Sequence, residues 1–477
     1  MVSKGRYVVF IVSVALAGCA SLAPKYERPA NELPASWAGP EGQSAASVDA
    51  QWWKIYGDPE LDRLVDEALA HNAELAVAVA RVDEARALLR RTRSDQLPTI
   101  DVGVDAGRNK FSEKAPLPIP PGTPRVQDSY RATLNVSYEV DLWGRLRDAT
   151  KAARADLLAT EAARETVRIT LTADVVQGYF ALRALDQQIA ATQRSLATRT
   201  ESLALQKVRY DNGLISEFEY RQREAEVAAA RVTLPVLERQ RAIQENALAV
   251  LLGKSPKAIY EDTVVKNEVS TREATRGSPA LVVPVGLPSE LLLRRPDLVE
   301  AEQRLIANNA LIGVARSAYF PSLSLTGYRG SESTELSDLF TGPAGIWGLA
   351  ASLTAPIWAG GRIKSQVEAA NARQRQALAL YQQAIQNAFR DVRDAIVTQT
   401  KTREQFDAEN ERVSALRDTL RLATERYTSG VSSQLDVLDA ERNLLAAELN
   451  RADALRAQRA AIADLFKALG GGWSTNS

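Results

Sequence analysis

Arg209-Tyr210-Asp211-Asn212-Gly213-Leu214 and Arg426-Tyr427-Thr428-Ser429-Gly430-Val431 are two copies of one turn, 217 positions apart (210 to 427). The same spacing separates Leu252-Gly253 from Leu469-Gly470, and Arg145 from Arg362. Pro98 and Pro321 stand slightly further apart, and that slip falls between paired segments, where loop length is free to vary. A repeat this long makes each half one supersecondary plan.

Upstream of each turn the pattern is helical. Val175, Leu182, Ile189, Leu196, Leu203 and Tyr210 recur every seventh residue. Val392, Gln399, Phe406, Val413, Leu420 and Tyr427 repeat the spacing with one polar exception. A helix from Gly144 to Tyr210 runs roughly 100 Å at about 1.5 Å per residue, several times a bilayer core. Its many Arg, Glu, Asp and Gln residues exclude it from lipid, so it extends through an aqueous compartment. Return helices follow the turns, from Gly213 to about Leu252 and from Gly430 to about Leu469. Shorter helices precede each copy, from Pro59 to about Arg93 and from Asp297 to about Arg316. Gly213 and Gly430 suit left-handed helix caps. Tyr210 and Tyr427 close their heptad series and read first as terminal packing residues.

Between the shorter and longer helices lie strands. Tyr130, Ala132, Leu134, Val136, Tyr138, Val140 and Leu142 alternate with Arg131, Thr133, Asn135, Ser137, Glu139 and Asp141. Ile100, Val102, Val104 and Ala106 supply the partner, across a Pro- and Gly-rich loop from about Ser112 to Asp128. In the second copy Leu323 and Leu325 pair with Trp347, Leu349, Ala351, Leu353, Ala355 and Ile357. Side chains as bulky as Arg131 and Glu139 suit a wet lumen better than the inside of a soluble two-sheet domain. Membrane barrels begin at about eight strands. Four strands per chain predict a barrel closed only by several copies.

With 477 residues, 45% hydrophobic and 25% charged, the composition is that of an ordered protein. Lys+Arg and Asp+Glu both number 59, which leaves no overall positive field for nucleic acid. One Cys and one His argue against a protein-built metal or iron–sulfur site and against His-based nucleophilic triads. His71, in a helical stretch, reads as a surface residue. No Walker-type glycine loop is present in the sequence, and no cofactor is expected.

Residues 1–18 read as a signal peptide, with Lys4 and Arg6 before an apolar run from Tyr7 to Leu16. Leu16-Ala17-Gly18-Cys19 resembles the bacterial lipobox, which makes Cys19 a lipidated mature N-terminus and a tether rather than a span. An ordinary signal peptide with a chance Cys is the alternative. Ala20, where an inner-membrane retention signal would have Asp, directs the chain to the outer membrane.

PKYERP at 24–29, WWKIYGDPELDRLV at 52–65, VDLWGR at 140–145 and ELLLRRPDLVEAEQRLIANNALIGVARSAYFPSLSLTG at 290–327 join the lipobox and the paired turns. In these the chain resembles the TolC-like outer-membrane efflux proteins, specifically the lipoprotein branch that includes NodT and OprM. The resemblance implies a homotrimer with a twelve-stranded barrel and a periplasmic tunnel of antiparallel coiled-coil helices. It implies a passive exit duct, gated at the periplasmic tip, for small molecules delivered by an inner-membrane pump through a periplasmic adaptor. The expected division is 1–18 signal peptide, 19–57 lipidated extended segment, 58–253 first repeat, 254–290 equatorial linker, 291–470 second repeat and 471–477 tail.

If the helices leave the barrel and turn back at Gly213 and Gly430, those turns form the far entrance. Asp436 and Asp439 follow the second turn three apart on one helical face, and symmetry would multiply them into rings that favour cations. The resemblance assigns the gate to Leu435, Asp436 and Asp439, and Glu219 after the first turn is counted with them as a gate residue. Ser433 with Asp436, and Ser216 with Glu219, are also capping-box patterns, so Asp436 reads equally as a helix cap; Asp439 has no capping role. In the family an acid at the position of Glu219 pairs with an Arg at the position of Ser432. That Arg is missing here, leaving Tyr427 with Arg209 or Arg426 as a possible replacement lock. Tyr210, Gly213, Tyr427 and Gly430 mark the tip turns, where the resemblance places the adaptor.

Two rival readings are a barrel-less periplasmic coiled-coil lipoprotein of adaptor type and a lipid-anchored cell-wall hydrolase using Asp436 and Asp439. Two strand pairs with two helical hairpins favour the duct over the first. Nothing in the sequence places a sugar cleft for the second, and no enzymatic activity is expected.

Overall fold

A computed structural model of the chain describes residues 21–30, 50–112, 124–261, 264 and 294–473. Cys19, the signal segment 1–18, residues 31–49 of the expected extended segment, 113–123 of the first strand loop, 262–263 and 265–290 of the expected linker and 474–477 of the tail lie outside the described residues.

The repeat is metrically strict. Helices α3 (Arg145–Asp211) and α7 (Arg362–Thr428) each have 67 residues, and α4 (Glu217–Leu251) and α8 (Gln434–Ala468) each have 35. Both turns are built alike. Gly213 and Gly430 take φ of 73° and 72°, the left-handed region that only glycine enters freely. The Leu214 and Val431 amides reach back to the Arg209 and Arg426 carbonyls at 2.8 and 2.9 Å, which satisfies the last helical acceptors.

The single helix expected from Pro59 to Arg93 is two, α1 (Pro59–His71) and α2 (Ala73–Ser94). Asn72 breaks it: its backbone is extended at ψ 129°, and its side chain accepts from the Leu75 amide (3.0 Å) and donates to the Leu251 carbonyl (2.9 Å). A side-chain amide that offers the backbone such partners competes with helix continuity. His71 is exposed, as expected. After a short helix α5 (Pro256–Glu261), α6 (Pro296–Ser317) leads into the second strand pair.

The described residues form two compact units. The first comprises the described parts of 1–30, 82–160 and 300–382, and the second those of 31–81, 161–299 and 383–477.

In the first unit β1 (Thr99–Lys110), β2 (Val126–Val140), β3 (Ser322–Ser333) and β4 (Gly345–Thr354) form one antiparallel meander in that order. β4 ends before the expected Ala355 and Ile357, because Pro356 has no amide to continue the ladder. Trp143, at the foot of β2, stacks on Phe320 with centroids 4.6 Å apart and donates to the Pro321 carbonyl at 2.8 Å. Beside it, Ala152 and Ala155 of α3 meet Ala307 and Ala310 of α6, small residues that let two helices approach closely. Residues 21–28 strap this pair: Ser21 donates to the buried Asp148 carboxylate at 2.7 Å, and Arg28 grips Glu302 at 2.6 and 2.7 Å.

In the second unit the heptad positions Val175, Leu182, Val392, Phe406 and Val413 are buried, as the spacing predicts. Trp52 stacks on Phe466 at 5.0 Å at one end of this core.

Candidate functional site: a duct wall and two tip turns

The sheet has two unlike faces. Register aligns Ile100–Val136–Gly327–Leu349 and Val102–Leu134–Arg329–Trp347 in rows across all four strands. Their large apolar members are exposed to a degree that water does not favour, with Trp347 at 74% and Leu349 at 82%. Arg329 is the charged exception over that span. The opposite face carries Asp101, Asn135 and Tyr328 in one row and Asp105, Arg131 and Glu332 in another. Arg131 lies 3.9 Å from Glu332 and 4.8 Å above the Tyr328 ring. An apolar outer band over a polar inner face is the alternation of a membrane barrel. β1 and β4 carry no further strand on their outer edges among the described residues, and an open edge cannot stand in lipid. Because the strand number is even, another copy's β1 can pair antiparallel with β4.

At the tips the two copies diverge. Ser216 and Glu219 close the expected capping box: the Ser216 hydroxyl accepts from the Glu219 amide at 3.3 Å, and the Glu219 carboxylate accepts from the Ser216 amide at 2.9 Å. The second box does not form. Ser433 makes no side-chain cap, and Asp436 takes no hydrogen bond or ion pair among the described residues. The shorter aspartate carries one methylene fewer to reach back with than the glutamate of the first box. Leu435, Asp436 and Asp439 share the exposed side of α8, whereas Gln434, Val437, Leu438 and Ala440 are buried. Asp439 is not bare: Arg442 donates to it at 2.6 Å.

Of the two arginines weighed as partners of Tyr427, the structure brings Arg209 to it. The Tyr427 hydroxyl accepts from both Arg209 and Gln206 at 3.2 Å, linking the two hairpins of one chain just inside the turns. Gln206, buried between the hairpins, was not expected. Tyr210 instead stacks on Tyr220 with centroids 5.2 Å apart.

Sequence reasoning missed a second link further from the turns. Glu441 accepts from Arg223 at 2.9 Å, and Glu226 receives Arg199 at 3.0 Å and Arg442 at 3.3 Å. Arg199 and Arg223 are 3% and 2% exposed. The available signal was arginine on a coiled-coil face whose repeat counterparts, Leu416 and Ala440, are apolar.

The family model for outer membrane efflux proteins matches residues 64–254 and 287–471. The toluene efflux pump outer membrane protein TtgF of Pseudomonas putida is 36% identical, over 99% of this chain and 98% of its own. The probable outer membrane lipoprotein SilC of Salmonella typhimurium is 33% identical, over 96% of each chain. The crystal structure of the Campylobacter jejuni CmeC outer membrane channel superposes with a TM-score of 0.89 at 28% identity, covering 96% of each chain.

Proposed function

The chain belongs to the outer membrane efflux protein family, and from that premise we propose that three copies close one passive exit duct, lipid-tethered at Cys19 and gated at its periplasmic tip. It serves as the outer-membrane channel of an efflux system. The observation that carries the finer reading is the four-stranded sheet, apolar on one face and polar on the other, with both edges unpaired among the described residues. Three such sheets give twelve strands, and their six hairpins give the wall of a tunnel.

In this reading the repeats 58–253 and 291–470 are the two building blocks of each subunit, joined by the equatorial linker 254–290. Leu435, Asp436 and Asp439 line the constriction, and Glu219 stabilises the neighbouring turn. The turns at Tyr210, Gly213, Tyr427 and Gly430 meet a periplasmic adaptor, which couples the duct to an inner-membrane pump. The duct performs no bond chemistry, and the energy comes from the pump. Exposed Leu214 and Val431 at equivalent places in the two turns suit such a contact.

The test is reconstitution. Purified full-length protein is expected to run as a heat-modifiable trimer, to extract with outer membranes and to conduct ions in a planar bilayer. A water-soluble monomer after removal of the lipid, without conductance, would overturn the duct.

A further inference from the structure

In the first unit the strap, α3 and α6 enclose a cavity of about 520 Å³ that opens to solvent. Lys25, Lys151 and Arg154 line it together with the apolar Pro24, Leu158 and Ile306, and its lining contains no carboxylate. The three cations are accessible. The Lys25 and Lys151 side chains are 88% and 60% exposed, and Arg154 is exposed and meets no acceptor or counter-charge among the described residues. The acids beside the cavity are committed elsewhere. Asp148 is fully buried and takes the Ser21 hydroxyl and one donor of Lys151, at 2.7 and 3.1 Å, and Glu302 is gripped by Arg28. Glu27 lies 3.8 Å from Lys25 in open solvent, where a pair holds its partner only weakly.

The walls are fixed in place. Between the Ser21 and Arg28 anchors, Asn309 donates to the Pro24 carbonyl at 2.7 Å and Arg316 to the Leu22 carbonyl at 3.2 Å. Gly313 permits this close approach, since a β-carbon there would collide with the Asp148 carboxylate and stand 2.7 Å from the Ala23 amide nitrogen. The cavity is therefore preorganised rather than a chance gap under a loose segment.

Its place in the fold says which anion it meets. Lys151 and Arg154 follow the start of α3 at the foot of the sheet (145 to 151 and 145 to 154), about 9 and 14 Å along the axis at about 1.5 Å per residue. Helical side chains lean toward the helix N-terminus, here toward the sheet, and long cationic ones stretch further. The headgroup layer extends roughly 5 to 8 Å beyond the hydrocarbon core, within their reach. Cys19 precedes Ser21 by two residues, a span of at most about 7 Å, so a lipid on it sets the strap at the same surface.

We propose that this cavity binds the headgroup of an anionic phospholipid of the membrane's periplasmic leaflet, with its phosphate on Lys25, Lys151 and Arg154. The glycerol and first acyl carbons lie against Pro24, Leu158 and Ile306, a wall that a free phosphate would leave bare. The proposal rests on the lipid-tethered duct reading, which places the foot of the sheet at the membrane surface. The bound lipid ties the strap to α3 and α6 and adds a second, non-covalent hold to the one at Cys19, in keeping with the two signals that stable anchoring needs.

The experiment is native mass spectrometry of the full-length protein in detergent, titrated with phosphatidylglycerol or with zwitterionic phosphatidylcholine. One saturable phosphatidylglycerol per chain is expected, bound roughly tenfold more tightly than phosphatidylcholine, and inorganic phosphate at fixed ionic strength should not displace it. The double variant Lys25→Gln, Arg154→Gln breaks no buried pair and should lose roughly tenfold or more in affinity. Lys364→Gln, on α7 with its side chain 76% exposed, should lose nothing. Phosphatidylglycerol with a photoreactive headgroup should label the wild-type protein within 151–158 or 303–310, a readout that stands even if the double variant does not fold. Equal binding of the two lipids, displacement by phosphate, unchanged binding by the double variant, or labelling confined to the strands overturns the site. Intact mass reports the lipid on Cys19, and planar-bilayer conductance reports the duct. Variant-sensitive binding by protein that lacks either would sink the tether or the duct and leave the site standing, whereas lipidated, conducting protein without such binding sinks the site alone.

Discussion

The two helical hairpins have equal element lengths, the same Schellman turns and the same heptad spacing, yet they place their polar residues differently. The first turns Arg199, Arg223 and Glu226 inward and closes a capping box at Ser216–Glu219. The second leaves Ser433 without a cap and presents Leu435, Asp436 and Asp439 on its exposed side. The backbone repeat is set by turn glycines and apolar spacing, which both copies keep. Polar residues off that pattern are free to diverge, so the two hairpins of one chain share a backbone plan but not a polar face.

The largest effect expected from that divergence concerns one pair of glutamates. Glu441 and Glu224 occupy the same place in the repeat (224 to 441). Glu441 holds the buried Arg223, whereas Glu224 meets Arg221 on the surface, with both side chains about half exposed. Removing one partner of a buried pair strands the other charge, so Glu441→Ala should cost about 3–5 kcal/mol. Glu224→Ala should change stability by at most about 0.5 kcal/mol. Denaturant midpoints of the two purified variants check this. Equal losses would mean that the two hairpins are energetically alike.

That link also shows where sequence reading stops. The repeat, the four strands, the alternation of Tyr130 to Val140 and the helix ends at Gly213 and Gly430 were all legible, because each follows from a period or a glycine. The break at Asn72 was not, since it depends on the Leu251 carbonyl, distant in sequence. Nor was the failure of the second capping box, because Ser433 and Asp436 have the right spacing and only the geometry separates them from Ser216 and Glu219. The Tyr427 contact was half legible: Arg209 was one of two arginines within reach of that turn, but Gln206 was invisible in a heptad series that it does not join. Arg199, Arg223 and Glu441 look like surface charge until the partner helix is placed.

An intermediate effect concerns the acids after the turns. Asp439 shares its charge with Arg442, whereas Asp436 meets no counter-charge among the described residues. In a trimeric duct three uncompensated carboxylates at one level attract cations more strongly than three paired ones. Asp436→Asn is therefore expected to lower cation preference in planar-bilayer reversal potentials, with a smaller change for Asp439→Asn and none for Glu219→Gln, whose carboxylate serves its own turn. Unchanged selectivity in the double variant Asp436→Asn, Asp439→Asn would remove both residues from the constriction.

The smallest effect isolates the caps. Ser216→Ala removes an acceptor from the Glu219 amide and a hydroxyl that donates to the Glu219 carboxylate, so the first turn of α4 should lose about 1 kcal/mol. Exchange of the Glu219 and Tyr220 amides should then quicken roughly fivefold, since each 1.4 kcal/mol is about a factor of ten. Ser433→Ala removes no such bond, and the matching amides of Asp436 and Val437 should exchange as before. Hydrogen exchange read by mass spectrometry on both variants tests the pair within one protein. Equal acceleration at the two turns would show that Ser433 caps its helix in solution, and Asp436 would then regain the capping role that the present geometry denies it.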